Sequence, residues 1–248
     1  MTPSNKQFVF GLHAVESLLQ HQSKRITRIC VQKERRDQKI ETLIQLAKQN
    51  AISIENMPRH ELDKMTNNAN HQGIIAFCVK AKIYTEHDLK SILQHVSVPP
   101  FILVLDGVQD PHNLGACFRS ADAAGVHAII APKDKSVGLT PVVNKVASGA
   151  TETIPFVQVT NLVRALEILK EFGIWIYGAA AEASQTLFQT DLSGPVAMVL
   201  GAEGTGLRRL TQEHCDVLVK IPMHGTVSSL NVSVAAGIFM FEVVRQRS

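Results

Sequence analysis

The segment IPMHGTVSSLNVSVAAG, residues 221–237, carries the pattern from which the fold can first be inferred. It joins the end of an apolar, strand-like run to a glycine-containing loop and then to a helix start rich in serine and asparagine. A single helix cap needs only one such polar side chain. In α/β proteins, ligands bind beyond the carboxyl ends of the strands, so the segment indicates a site at the edge of a sheet.

Two upstream segments have the same character: DGVQDPHNLGACFRSADAAG, residues 106–125, and VLGAEGTGLRR, residues 199–209. In the first, Asn113 is predicted to cap a helix, and Arg119, six residues later, is expected on a related side of that helix. In the second, Glu203 lies between glycines, where little side-chain cover is expected. A cap, a surface ion pair and a solvated loop carboxylate are the simpler interpretations of these three residues.

The apolar runs predict an α/β protein. From Phe101 onward, FILVLDGV, HAIIAP, IWIYGAAA, VAMVLG and VLVKIPM alternate with helical patterns, and continuous apolar runs of this kind are typical of a parallel sheet covered on both faces. The N-terminal part alternates in the same way and predicts a small α/β domain. Pro99 and Pro100 interrupt the pattern. We therefore expect an N-terminal domain over residues 1–83, a linker over 84–99 and a larger domain over 100–248.

Charge is distributed unevenly along the 248 residues, whose formal net charge is +3. Residues 1–83 contain 13 Lys and Arg against 7 Asp and Glu, whereas residues 84–248 contain 12 against 15. The basic third is the better candidate for contact with a polyanion such as RNA, although a solvated surface explains such a cluster equally well. The candidate RNA-binding residues are Lys24, Arg25, Arg28, Arg35 and Arg36.

Several classes of protein have little support. No apolar run reaches the length of about 18 residues that a membrane span needs, and no signal peptide is recognisable, which predicts a cytoplasmic protein. The four cysteines form no CxxC pair, so neither a metal site nor a disulfide framework is expected. No GxSxG segment supports acyl transfer.

Taken in order, the three segments resemble the three motifs of the SpoU branch of the SPOUT RNA 2′-O-ribose methyltransferases. The matching stretches are DPHNLGACFRSADAAG at 110–125, VLGAEGTGL at 199–207 and IPMHGTVSSLNVSVAAG at 221–237. The N-terminal part resembles the substrate-binding domain of the same family. The resemblance implies a trefoil-knotted parallel sheet, S-adenosylmethionine as cofactor, a homodimer with its active site near the subunit interface, and methylation of a guanosine ribose in large-subunit ribosomal RNA.

The resemblance also implies roles for individual residues. The implied catalytic residues are Arg119, Asn113, Glu203, Ser229 and Asn231, and the implied cofactor-binding residues are Gly201, Ile221, Met223 and Leu230. For the arginine, family proposals include a general base. A guanidinium group keeps its proton in proteins, so stabilisation of the developing alkoxide is the role that its chemistry favours. On this basis Glu203 is expected to orient Arg119 or a substrate group.

Two alternatives stay open at this point. The same chemistry could act on a different ribosomal or transfer-RNA nucleotide. A noncatalytic RNA-binding or assembly protein on the same scaffold is the alternative from another class, and the complete set of polar motif residues argues against it.

Overall fold

The computed structural model describes residues 6–33, 35, 37–79 and 82–248. Its first elements alternate between strands and helices, as predicted. They are β1 (Lys6–Phe10), α1 (Leu12–Gln22), β2 (Ile26–Gln32), α2 (Gln38–Gln49), β3 (Ser53–Met57), α3 (Arg59–Met65) and β4 (Ile74–Val79).

The remaining elements continue the alternation to the C-terminus. They are α4 (Glu86–Gln94), β5 (Phe101–Asp106), α5 (Pro111–Ala123), β6 (Ala128–Pro132), α6 (Pro141–Ala147), β7 (Phe156–Val159), α7 (Leu162–Glu171), β8 (Trp175–Ala179), β9 (Gln185–Thr186), β10 (Val196–Gly201), α8 (Arg209–Glu213), β11 (Val217–Lys220) and α9 (Val232–Arg247).

The chain divides into two compact units. The first comprises residues 1–82 and 139–153, and the second comprises residues 83–138 and 154–248. The segment 84–99, expected to be a linker, contains α4, whose Leu89 and Leu93 are buried in the core of the second unit. Conversely, α6 lies in a segment that groups with the first unit, which the sequence pattern did not indicate.

The second unit is built on a parallel sheet. Within its described residues the strand order is β7-β6-β5-β10-β8-β11-β9, and every neighbouring pair is parallel. All residues of β5 and β6 are buried, because helices cover both faces of the sheet. The predicted α/β fold with a parallel sheet is thereby confirmed. The trefoil knot stays a prediction, since strand order and register alone do not define a knot.

The first unit contains a smaller sheet, whose described strands run in the order β1-β4-β2-β3. Side chains of β4 alternate between its faces: Ile74 and Ala76 pack with residues of α1 and α2, whereas Ile75 packs with Leu62 of α3. Both faces of this sheet therefore carry helices.

Arg25 is held inside the first unit. Its guanidinium group donates to the carboxylate of Glu152 and to the Gln22 side chain, and its Nη2 atom donates to the Val79 carbonyl oxygen at 2.9 Å. The Glu152 side chain is 1% exposed. Burial raises the pKa of the Glu152 carboxyl above its ordinary value, and the charge of Arg25 opposes that increase. The pair connects α1 and its 3₁₀ extension to residues 139–153.

We expect Arg25→Ala to lower the free energy of unfolding by about 3 kcal/mol at pH 7, because it leaves a buried carboxylate without its partner. The loss should be much smaller at pH 4. A raised pKa means that the folded protein favours protonated Glu152, so the penalty develops only as pH rises above the ordinary carboxyl pKa of 4.5. Urea unfolding at both pH values measures the difference.

Arg59→Ala is the matched control. Arg59 lies on α3 with a 73% exposed side chain, 3.7 Å from the carboxylate of Asp63, and such a surface pair contributes about 0.5 kcal/mol. An equal loss for Arg25→Ala at the two pH values would show that the ion pair does not stabilise the unit.

The four cysteines, all within the described ranges, carry free thiols. Burial raises the pKa of Cys117 to about 12 and that of Cys78 to about 11, so neither thiol is activated as a nucleophile. Among the helices of the described chain, none has the length and apolar character needed to cross a bilayer.

Candidate active site at the ends of the central strands

The three sequence segments come together at the carboxyl ends of the strands of the parallel sheet. β5 and β10 are neighbours, and their last residues, Asp106 and Gly201, are paired in register. The loops that follow both strands therefore leave from the same point. The third segment follows β11, which is separated from β10 by β8. The polar loops therefore converge at the carboxyl ends of the strands, as the sequence predicts.

A hydrogen-bonded cluster connects one polar residue from each segment. Asn231 Nδ2 donates to Glu203 Oε1 at 2.6 Å and to Asn113 Oδ1 at 2.9 Å. Asn113 Nδ2 also donates to Glu203 Oε1, at 3.3 Å, as does the backbone N–H of Val232 at 3.3 Å. The carboxylate thus lies at the first turn of α9, where the helix dipole favours negative charge. Each segment contributes one member, so the cluster fixes the three loops relative to one another.

Asn231 has two tasks. Its Oδ1 atom caps α9 by accepting from the backbone N–H groups of Ser233 and Val234 at 2.9 and 3.4 Å. Its Nδ2 atom is therefore free to serve the cluster. The capping that sequence patterns predict and the bridging between segments are performed by opposite ends of one amide.

The expectation that Asn113 caps α5 is wrong. The cap is Asp110, whose carboxylate accepts from the backbone N–H groups of His112 and Asn113, both at 3.2 Å, and Pro111 occupies the first helical turn. An aspartate followed by proline is itself a helix-start signal that the sequence contained. Asn113 lies inside the first turn and is buried, which directs its side chain to Glu203 and Asn231.

In the single chain, the Arg119 side chain makes no hydrogen bond to the residues of this cluster. It is exposed on α5, and no hydrogen bond or ion pair to its side chain is found across the described ranges. At about 100° per residue, six residues place it about 120° around the helix from Asn113. The two residues therefore do not share a side of α5, and Glu203 contacts Asn113 and Asn231 instead of orienting Arg119.

A cavity of about 520 Å³ lies beside the cluster. Its walls come from the strand ends and the loops after them, and include all four predicted cofactor-binding residues together with Ser229: Gly201, Ile221, Met223, Leu230 and Ser229. Small-molecule sites have volumes of roughly 300–1,000 Å³ with mostly apolar walls, so the cavity is large enough for S-adenosylmethionine.

Three polar side chains of the cavity wall lie outside the three sequence segments: Glu182, Gln212 and Lys220. Glu182 follows β8, and Lys220 ends β11. Position at a strand end is the signal that could have identified them, as it identified the three motif loops. Gln212, on α8, carries no such signal.

The loop after β10 adopts its observed conformation only with glycine at position 201. A Cβ atom on Gly201 would overlap the backbone of Gly206 and Leu207, because the loop folds back over this residue. The backbone N–H of Gly206 donates to the Ala202 carbonyl oxygen at 3.0 Å and closes the turn. Every residue of the loop, 201–207, lines the cavity.

The candidate RNA-binding residues of the first unit differ in their availability. Arg25 forms an ion pair with Glu152, as described above. Arg28 Nη1 lies 2.9 Å from the Glu55 carboxylate and its guanidinium lies over the Phe77 ring, while Arg35 Nε pairs with Asp37 at 2.6 Å. Lys24 is exposed. Arg36 lies outside the described residues.

No group of three or more His, Cys, Asp or Glu side chains within the described part of the chain could hold a metal ion. His112 and His224, which flank the site loops, are both exposed.

Asn231 allows the cluster to be tested separately from helix capping. Asn231→Ser keeps a capping oxygen but removes the Nδ2 donor, whereas Asn231→Ala removes both. We expect both variants to lower catalytic turnover by about 100-fold. Only the alanine variant should also lose about 1 kcal/mol of unfolding free energy. Wild-type turnover by Asn231→Ser would show that the bridging amide is dispensable.

Comparison with known proteins identifies relatives over the whole chain. The sequence pattern of the SpoU rRNA Methylase family matches residues 100–241, and that of the RNA 2′-O ribose methyltransferase substrate binding family matches residues 8–84. The chain is 53% identical over 244 residues to the 23S rRNA (guanosine-2′-O-)-methyltransferase RlmB of Pseudomonas putida, covering 98% of each protein. It is 55% identical over 242 residues to the RlmB of Shewanella oneidensis, again covering 98% of each.

A solved structure has the same fold. The SpoU methyltransferase AviRb from Streptomyces viridochromogenes, in complex with AdoMet, superimposes with a TM-score of 0.82 at 22% identity. The match covers 98% of this chain and 91% of that one.

Proposed function

Since the chain belongs to the SpoU rRNA Methylase family, we propose that it methylates the ribose 2′-hydroxyl of a guanosine in 23S ribosomal RNA, with S-adenosylmethionine as methyl donor. The observation that carries the proposal is the Asn113–Glu203–Asn231 cluster beside a cavity of about 520 Å³ that Glu203 helps to line. The names of the relatives, at 53 and 55% identity, support the choice of RNA and nucleoside.

The cavity suits the cofactor through its backbone and its apolar walls. The loop 201–207 offers main-chain N–H and C=O groups, and the side chains of Ile221 and Leu230 face the same space. Met223 and Gly201 complete the set that we assign to cofactor binding. S-adenosylmethionine supplies an electrophilic methyl group, so the protein needs no covalent nucleophile of its own.

The residues around the cavity then have two tasks, to hold the ribose and to favour loss of its 2′-hydroxyl proton. We assign charge stabilisation at the developing alkoxide to Arg119, because a fixed guanidinium stabilises negative charge without changing its own protonation. Asn113, Glu203 and Asn231 keep the loops in place, and Glu203 has a second carboxylate oxygen available for a substrate hydroxyl. Ser229, exposed on the cavity wall, is assigned to the ribose.

We also propose that the protein acts as a homodimer. Arg119 lies apart from the cluster of its own chain, so a second copy is the natural source of the arginine. α9 exposes Val234 and Phe241 to 51 and 49%, and residues seven apart lie on one side of a helix. An exposed apolar stripe on a helix that also contacts α5 suits an interface between copies.

RNA binding is assigned to the first unit. Its family match and the excess of six positive charges in residues 1–83 support this assignment. Lys24, Arg28 and Arg35 are the described residues we propose for phosphate contact, and Arg25 is assigned a structural role instead. We assign the reaction to the cytoplasm, in keeping with ribosomal RNA as the proposed substrate.

Methyl transfer to different RNA classes tests the function. The protein and labelled S-adenosylmethionine are incubated with unmodified large-subunit RNA, small-subunit RNA and transfer RNA. We expect label in large-subunit RNA alone, and at least about 100-fold less with Asn231→Ser. Label in transfer RNA or small-subunit RNA would identify another substrate, and cofactor and RNA binding without any label would identify a noncatalytic protein.

A further inference from the structure

An ion pair between the buried Asp106 and the half-exposed Arg208 joins the end of β5 to the end of the glycine-rich loop. The Asp106 side chain is 0% exposed, and its Oδ1 atom lies 2.6 Å from Arg208 Nε and 2.5 Å from Arg208 Nη2. Its Oδ2 atom accepts from the backbone N–H of Arg208 at 3.1 Å. Asp106 therefore holds both the side chain and the main chain of Arg208.

The same aspartate fixes the other end of the loop. Gly201, the last residue of β10, is paired in register with Asp106 through the parallel ladder. The loop thus leaves the sheet beside Asp106 and returns to its carboxylate at Arg208. Between these two ends lie Glu203 and the cavity wall formed by residues 201–207.

One backbone hydrogen bond, from the Gly206 N–H to the Ala202 carbonyl oxygen, closes the turn within the loop. Gly204 and Gly206 have φ angles of 79° and 66°, a region that glycine enters freely, so their backbone has many alternatives in the absence of an external anchor. Glu203 is exposed except for its contacts in the cluster. The anchor at Asp106 therefore restrains the two ends of the loop, while the hydrogen-bonded cluster restrains Glu203 within it.

We propose that Asp106 and Arg208 are positioning residues that set the cofactor cavity by fixing both ends of the loop 201–208. A carboxylate without exposure needs a charged, hydrogen-bonding partner, and the Arg208 side chain supplies two donors, Nε and Nη2, in a geometry that a lysine cannot reproduce. The inference rests on the proposed function only in taking S-adenosylmethionine as the occupant of the cavity.

The first test is cofactor affinity, measured by calorimetry on the full chain. Arg208→Ala should weaken S-adenosylmethionine binding about tenfold, because the binding-competent loop is then populated only part of the time. Arg208→Lys should be intermediate. Arg209→Ala is the control: Arg209 is adjacent, its side chain is 80% exposed and it pairs with Glu213 on the surface, so affinity should stay at the wild-type value.

A double variant separates positioning from stability. Arg208→Ala leaves a buried charge and should lower the melting temperature, whereas Asp106→Ala with Arg208→Ala removes that charge and should recover part of the loss. Affinity should stay about tenfold weak in the double variant, since the loop is still unanchored. Wild-type affinity in the double variant, or an equal loss in Arg209→Ala, would overturn the proposal.

Amide hydrogen exchange over residues 201–208 provides a readout that needs no ligand. Exchange should be faster in Arg208→Ala and in the double variant than in wild type and Arg209→Ala. Unchanged exchange contradicts the anchor. Failure of the wild type to bind S-adenosylmethionine contradicts the proposed cofactor instead, while hydrogen exchange still decides the anchor.

Discussion

Arg119→Lys is expected to lower the rate of methyl transfer by about 100-fold or more while leaving the affinity for S-adenosylmethionine unchanged. Lysine keeps the positive charge but replaces a planar group of fixed donors with one compact ammonium, which places charge less accurately at the developing alkoxide. Single-turnover transfer at saturating cofactor gives the rate, and calorimetry gives the affinity. Arg119 does not line the cavity, which is why binding and catalysis should separate.

The matched control is Arg164→Lys. Arg164 is an exposed arginine on α7, away from the site loops, so the same substitution should leave the rate unaltered. A near-normal rate for Arg119→Lys would contradict both the general-base role and the alkoxide-stabilising role.

Gly201→Ala is expected to weaken cofactor binding by about 100-fold, the equivalent of about 3 kcal/mol of overpacking at the loop. The new Cβ atom would overlap the backbone of Gly206 and Leu207, so the loop that lines the cavity must move. Titration with S-adenosylmethionine measures the loss. Gly194→Ala is the control, because a Cβ atom there meets nothing within 4 Å. Equal affinity of the two variants would show that the tight approach at Gly201 does not shape the site.

The two variants together test whether the site is shared between copies. In a mixed dimer of Arg119→Lys and Gly201→Ala chains, one cavity is intact and faces an intact arginine if Arg119 acts on the partner copy. Random mixing should then restore about a quarter of wild-type activity. Activity equal to the sum of the separate variants would place Arg119 in its own chain's site.

The parallel sheet could be predicted because its strands are continuous apolar runs. The run VAMVLG corresponds to β10 residue for residue, and ITRICVQ corresponds to β2. β1, β7 and β9 were not recognised from the sequence, because polar residues interrupt their apolar positions in KQFVF and FVQV, and QT has no apolar residue at all. β6 is also only five residues long, but its residues form a continuous apolar run.

The candidate site could be predicted in its parts but not in its connections. The motifs identified Asn113, Glu203 and Asn231, yet their mutual hydrogen bonds depend on the order and register of β5, β10 and β11 in the sheet, which pattern alone does not define. The partner of Arg25 could not be predicted from the sequence either. That partner, Glu152, lies 127 positions away, so a residue that resembled a phosphate contact in the sequence is a partly buried structural cation in the fold.

Asp106 and Arg208 lie in two of the three sequence segments, but no pattern in the sequence indicates that they pair. Their ion pair depends on a turn that brings the chain from Gly201 back to the end of β5. That turn needs the close approach of the Gly206 and Leu207 backbone to Gly201.

The most direct test of the central claim is nucleoside analysis of large-subunit RNA after reaction with wild-type protein and with Arg119→Ala. Unmodified RNA is methylated in vitro and digested, and the methylated nucleoside is identified by mass spectrometry and mapped to its position. We predict 2′-O-methylguanosine at one position with the wild type and none with Arg119→Ala. Methylation of a base, methylation of a nucleoside other than guanosine, or equal methylation by Arg119→Ala would contradict the account.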